Sequence, residues 1–250
     1  MSSRLQFALE TAYEAGKSTL ALFDTNHSVE IKKDNTPVTE ADKHAEHLIR
    51  KAIKAKYPAE GILGEEEGES GSKSDRWVVD PIDGTKSFIS GVPLYATLLS
   101  YEQEGIPIIG ICYFPALDKM FYAEKGQGAF ENGHRLAVSA KDRLASAVLC
   151  CGGHASMEKY GRTAGITELA KRTLATRTWS DAYGHALVAS GRVEAMIDPV
   201  VNRWDVSAMQ LVVEEAGGTF TTFDGQTNPQ HEAVSSNGKL HQQILDSFKR

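Results

Sequence analysis

Long apolar runs are missing from this 250-residue chain. No stretch has the length a membrane-spanning helix needs, and the N-terminus carries no apolar core of a secretion signal. Cysteine is nearly missing as well. Cys112, Cys150 and Cys151 are an odd number, two of them are neighbours, and no Cys-x-x-Cys or Cys/His metal spacing occurs. They read as reduced thiols in apolar strands of a cytoplasmic protein. Asn26-His27-Ser28 matches a glycosylation sequon, which without a secretion signal has no consequence. No Lys/Arg run of the kind that follows a phosphate backbone is present, and the formal net charge is −6, so neither nucleic acid nor a membrane is expected as a partner. Internal repeats, low-complexity tracts and a clear domain linker are also missing.

What remains is ordinary globular composition, 41% hydrophobic and 24% charged, enough for a sizeable core. Apolar residues fall at helical spacing over Arg4 to Phe23, and again from Thr39 to Tyr57, where Pro58 stops the helix. A Gly/Ser-rich charged linker is expected from Gly68 to Asp75, after Gly61-Ile62-Leu63-Gly64. Trp77-Val78-Val79 reads as a short strand ending at Asp80. Tyr95 to Tyr101, Ile106 to Phe114, Met120 to Ala123 and Ala147 to Cys151 predict strands of an antiparallel meander. Beyond Gly153 helices are expected at Met157 to Ala170, Ala182 to Ser190, Val206 to Ala216 and Gly238 to Phe248, with strands at Leu174 to Thr178 and Val193 to Ile197. The class is mixed α/β (α+β), read as one catalytic domain with halves at about residues 1–145 and 146–250.

Four segments carry chemistry. In Asp80-Pro81-Ile82-Asp83-Gly84-Thr85 an apolar strand delivers two carboxylates three residues apart into a turn, with Pro81 fixing one backbone angle and Gly84 permitting tight geometry. Both carboxylates and the Ile82 carbonyl can then face one point, a hard-oxygen set suited to Mg²⁺. The amides after Gly84 can form an anion nest. The bland reading is an ordinary Asp/Pro/Gly turn. An aspartyl-phosphate mechanism is set aside, because its two acids stand two residues apart, not three. Glu65-Glu66-Glu67, framed by Gly61 and Gly64, offers a second carboxylate source, or else a solvated acidic loop, which suits Glu67 and Glu69. Asp205 is a third candidate ligand or a helix cap. Asp42, three residues after Thr39, has capping-box spacing and can be just that. An acidic protein that handles an anionic substrate needs a cation between them, which favours metal over bare carboxylates.

Together, Pro37-Val38-Thr39-Glu40-Ala41-Asp42, Gly64-Glu65-Glu66, Trp77 to Thr85, and Trp204-Asp205 with Glu215-Ala216-Gly217-Gly218 resemble the inositol monophosphatase family, in the family's order and across most of the chain. The resemblance implies a layered αβαβα sandwich of the sugar-phosphatase type, a homodimer, a small phosphorylated metabolite as substrate, and two or three Mg²⁺ ions. It assigns Glu65, Asp80, the Ile82 carbonyl, Asp83 and Asp205 as metal ligands, with Glu65 also in the catalytic set. Thr85 paired with Asp42 would orient and deprotonate the attacking water. Gly84, Thr85 and Asp83 would meet the phosphate end of the substrate.

Within the family, Lys86-Ser87-Phe88, Trp179-Ser180-Asp181-Ala182-Tyr183-Gly184 and Asp198-Pro199 are similar to its histidinol-phosphate phosphatases. Asp181 and Asp198 are therefore expected at the substrate's non-phosphate end, where a carboxylate suits an ammonium; Asp181 can otherwise cap the following helix. Histidinol-phosphate hydrolysis, a step of histidine biosynthesis, is the implied activity. The alternatives are an inositol-1-phosphate or broad-specificity phosphatase and, more remotely, a non-catalytic regulator that binds a phosphorylated ligand. Arg203 is read as either near the site or facing solvent, and Lys86 as a surface cation.

Overall fold

The computed structural model describes all residues except 26–28, 32–36, 180 and 250. The sequon at Asn26 and the Ser180 of the Trp179 to Gly184 segment thus lie outside the described residues. The chain begins with α1 (Ser3–Thr19), which Ser2 caps by accepting from the Leu5 amide. A small hairpin follows, β1 (Val29–Ile31) and β2 (Pro37–Thr39), and leads into α2 (Glu40–Lys56). Next come β3 (Gly61–Gly64), β4 (Gly68–Ser70), β5 (Asp75–Asp83) and the short α3 (Thr85–Ile89), then β6 (Ala96–Gln103), β7 (Ile106–Phe114), β8 (Lys119–Glu124), β9 (Gly128–Glu131) and β10 (His134–Arg135). The remainder is β11 (Val148–Cys151), α4 (His154–Lys159), α5 (Thr163–Arg172), β12 (Ala175–Arg177), α6 (Asp181–Ala189), β13 (Ala195–Asp198), α7 (Arg203–Glu215), β14 (Thr219–Thr221), β15 (Ala233–Ser236) and α8 (His241–Asp246).

Eight strands form one sheet in the order β10-β9-β8-β7-β6-β5-β3-β4, antiparallel except for the β3–β5 pair. Five form another, β12-β11-β13-β15-β14, with β11 parallel to both its neighbours. Period-two alternation divides each strand between two cores. In the first sheet Leu99 and Ile111 face α1 and α2, whereas Leu98 and Cys112 face inward. In the second, Cys150 and Met196 face inward, whereas Leu149, Cys151 and Ile197 pack on α4, α5 and α8. The shared inner layer is α6 and α7, supplied by residues such as Ala186, Val206 and Met209. The layering is αβαβα, as the resemblance implied. All three cysteines are buried and unbridged.

Several expectations are corrected. The linker at Gly68 contains β4, paired antiparallel with β3. The strand starting near Trp77 does not end at Asp80; it runs to Asp83, with a register irregularity against β6 between the two acids. The meander is formed by β6 to β10 only, because β11 belongs to the second sheet. The helix expected from Met157 to Ala170 is two, broken where Gly161 takes a positive φ of 69°. β9, β10, β14, β15 and α3 are too short to leave a clear periodic signal.

Candidate active site

The site assembles at the ends of four elements. The end of β5 holds Asp80 and Asp83, both buried. The irregularity between them lets the backbone fold on itself: the Ile82 amide donates to Asp80 Oδ1 at 3.1 Å, and Thr97 Oγ1 holds the Pro81 carbonyl at 2.9 Å. Gly84 then takes a φ of 80°, open to glycine at little cost, and turns the chain into α3. A small apolar cluster of Ala41, Ile82, Phe88 and Tyr95 fixes this corner, with Phe88 and Tyr95 edge to face at 4.9 Å. Burying Phe88 there contributes about 2–3 kcal/mol.

α7 presents Asp205. Asn202, not Asp205, is its cap; Asp205 sits three residues in, and its Oδ2 accepts from the Asn202 amide at 2.6 Å in a capping box. Oxygens of Asp80, Asp83 and Asp205 lie within 4.8 Å of one another. Glu65 follows β3, its amide donating to the Val79 carbonyl at 3.2 Å, and its charge acts on Asp80. Glu65 and Glu66 are half-buried, while Glu67 and Glu69 are exposed.

Burial, then the charges of Glu65, Asp83 and Asp205, push the Asp80 carboxyl well above the usual range. Asp83 is raised likewise by burial and by Asp181 and Asp205. Asp205 is pushed up to about 7, chiefly by burial, against the lowering effect of the Asn202 amide. Carboxyls so crowded either hold protons or hold a cation. The donor set is all oxygen, hence hard, and fits a divalent cation such as Mg²⁺.

Asp42 caps α2 with one oxygen: Oδ2 accepts from the Thr39 amide at 2.8 Å and from its hydroxyl at 2.6 Å. Its Oδ1 is buried and has no hydrogen-bond partner among the described residues. The capping reading and a role in chemistry are thus compatible, since each oxygen has its own use. The Thr85 hydroxyl donates to the Ile82 carbonyl at 3.2 Å, not to Asp42.

α6 connects this cage to a second set of acids. Asp83 Oδ2 accepts from the Ala182 amide at 2.7 Å, so the helix is capped from across the chain. Asp181 is its first residue, with a φ of 59°, and its Oδ2 lies 3.2 Å from where a Cβ on Gly84 would be. Asp198 ends β13. Asp83, Asp181, Asp198 and Asp205 line one cavity of about 50 Å³ together with His185.

Three residues near the site gave little signal in the sequence. His185 is buried beside Asp198; its place four residues after Asp181 was the available clue. Glu46, fully buried, accepts from the Glu66 and Glu67 amides at 2.8 and 3.0 Å and pairs with Arg50. Glu102, also buried, takes Arg203, so Arg203 does not face solvent: it anchors the first turn of α7 to β6 and also donates to Gln210. Lys86 is exposed, and Tyr183 packs on Phe114.

The family described as "Inositol monophosphatase family" has a sequence model that matches residues 1–250. A curated histidinol-phosphatase of Chlorobaculum parvum is 44% identical, covering 98% of this chain and 96% of the relative. One of Streptomyces coelicolor is 40% identical over 87% and 85%. The solved structure of an IMPase from Thermotoga maritima superposes with a TM-score of 0.91 at 31% identity, covering 99% of this chain and 97% of that one.

Proposed function

This chain belongs to the inositol monophosphatase family, and we propose that it is the family's Mg²⁺-dependent phosphatase for L-histidinol phosphate, releasing L-histidinol and phosphate. The observation that carries the reading is that two acidic sets line one cavity, Asp83 and Asp205 together with Asp181 and Asp198. The first set suits metal and the second suits an ammonium.

Asp80, Asp83, Asp205, Glu65 and the Ile82 carbonyl would hold two or three Mg²⁺ ions. Bound Mg²⁺ would neutralise the phosphoryl charge, acidify water and stabilise the leaving alkoxide. The chain's own residues do the positioning. Asp42 keeps Oδ2 on Thr39 and leaves the unpartnered Oδ1 to take the proton of the attacking water, which the Thr85 hydroxyl orients. The Gly84 and Thr85 amides would donate to phosphate oxygens where the chain turns into α3. Asp181 and Asp198 then face the amine and the imidazole of the leaving alcohol.

Inositol-1-phosphate hydrolysis is the competing reading within the same cage, supported by the similarity to the Thermotoga IMPase. Phosphate release with Mg²⁺ from L-histidinol phosphate, inositol-1-phosphate and fructose-1,6-bisphosphate separates the two. The expected order of kcat/KM places L-histidinol phosphate first; a clear preference for inositol-1-phosphate refutes the substrate assignment.

A further inference from the structure

His185 is the buried titratable group on the cavity that the reaction above does not use. It follows Asp181 by one helical turn on α6, so the two share a face. The ring is 1% exposed and lies on Phe220 with centroids 4.9 Å apart. Nδ1 is 2.7 Å from Ser235 Oγ, and Nε2 is 3.2 Å from Asp198 Oδ2. That second approach is bent: although close enough, it does not form a hydrogen bond, and among the described residues the buried Nε2 has no hydrogen-bond partner, while His185 is one of the residues lining the cavity. On its other side the Asp198 carboxylate abuts Gly152, where a Cβ would come within 3.1 Å of Oδ1.

In a neutral ring one nitrogen carries hydrogen and the other accepts. With the hydrogen on Nε2, towards a carboxylate that only accepts, Nδ1 is the acceptor and the Ser235 hydroxyl its donor. A Ser235–His185–Asp198 chain of this kind fixes an acid from behind, through two residues that do not themselves reach the reacting atoms.

We propose that His185 is a positioning residue for substrate specificity: as the Nε2–H tautomer held by Ser235, it orients the Asp198 carboxylate towards the cationic organic end of the phosphomonoester. The inference rests on the reading that Asp198 faces the leaving group. The bent 3.2 Å contact is of the kind that straightens when substrate engages the carboxylate. Phe220 and Ser235 hold the ring, so the adjustment falls to the Asp198 side chain.

Two measurements test it. A double-mutant cycle of His185→Leu and Asp198→Asn is read on L-histidinol phosphate and on p-nitrophenyl phosphate, which lacks the cation. His185→Leu is expected to raise KM for L-histidinol phosphate about tenfold to a hundredfold, with kcat changed less than about threefold. The loss should be much smaller with p-nitrophenyl phosphate, should largely vanish when Asp198 is already Asn, and should be partly restored in His185→Gln. Equal losses on both substrates, or additive losses in the cycle, overturn the proposal. Should the wild type fail to hydrolyse L-histidinol phosphate, the substrate reading falls by itself, and the cycle on the preferred phosphomonoester still decides whether His185 acts through Asp198. Independently of any variant, the ¹⁵N imidazole spectrum of the wild-type protein should show His185 protonated at Nε2; protonation at Nδ1 alone overturns the proposal.

Discussion

Replacing Glu46 by Gln should loosen the metal site from a distance of one loop. Glu46 is fully buried, and Arg50, its partner at 2.7 Å, is 4% exposed. The same carboxylate receives the Glu66 and Glu67 amides, so it pins the backbone on which Glu65 rides. Gly64 makes this possible, because a Cβ there would overlap the Glu46 carboxylate and the Arg50 guanidinium. Gln keeps the volume and one acceptor but removes the charge, leaving a buried guanidinium that retains the Gly68 carbonyl, the Ser70 hydroxyl and, at 3.6 Å, the half-exposed Glu67 carboxylate. Removing one member of a buried pair costs about 3–5 kcal/mol. With those three partners retained, the lower end applies, about 3 kcal/mol. For a chain of this length that lowers Tm by about 6–12 °C.

The functional half of this prediction concerns Glu65. With its loop released, the Mg²⁺ concentration for half-maximal phosphate release should rise about tenfold, while the rate at saturating Mg²⁺ recovers most of its wild-type value. Thermal melts and an Mg²⁺ titration of turnover are the assays. A Tm within about 2 °C of wild type would contradict the energetics. A lowered Tm with an unchanged Mg²⁺ requirement would show that the clamp does not reach Glu65.

Asp181→Asn should cut kcat/KM for L-histidinol phosphate about tenfold or more and spare a phosphomonoester of a neutral alcohol; equal losses on both would leave Asp181 a structural role at the start of α6. The metal-free protein should lose stability as pH rises. Asp205 is raised to about 7 in the folded chain, and Asp80 and Asp83 are raised too. From about pH 4 to about 7 the folded state therefore keeps protons the unfolded chain has released, and ΔG of unfolding falls across that window. Melts in chelator should show this slope, and saturating Mg²⁺ should abolish it; the same slope in both conditions would count against a cation in this cage.

Most helices and strands were legible in the sequence because they depend on local signals, whereas the layering and the acidic cage, which joins remote segments, were read through the family resemblance. Long amphipathic segments announced α1 and α2, and β-branched runs announced β5 to β8. The capping box at Thr39 and Asp42 stands as read. Other features depend on contacts between remote segments and have no local pattern. The continuation of β5 to Asp83 is set by pairing with β6, and the cap of α6 comes from Asp83, 99 residues away. Arg203 looked ambiguous since its partner Glu102 is 101 residues distant. Glu46 looked like an ordinary polar residue of α2 until the loop after β3 folded over it. Asp181 and Asp198 were readable only through resemblance, and His185 only once β13 and β15 had brought Asp198 and Ser235 to either side of its ring.

The most direct test of the central claim, that the Asp80, Asp83 and Asp205 cage holds the catalytic cation, is Mg²⁺-dependent phosphate release from wild type and Asp83→Asn measured side by side. Asn keeps an oxygen that can accept from the Ala182 amide, so the fold of α6 is preserved while one anionic ligand is lost. The wild type should be inactive in chelator and recover with Mg²⁺. The variant should melt like the wild type and stay below about one hundredth of its rate at any Mg²⁺ concentration. Turnover by Asp83→Asn near the wild-type rate, or undiminished wild-type turnover in chelator, would contradict the account.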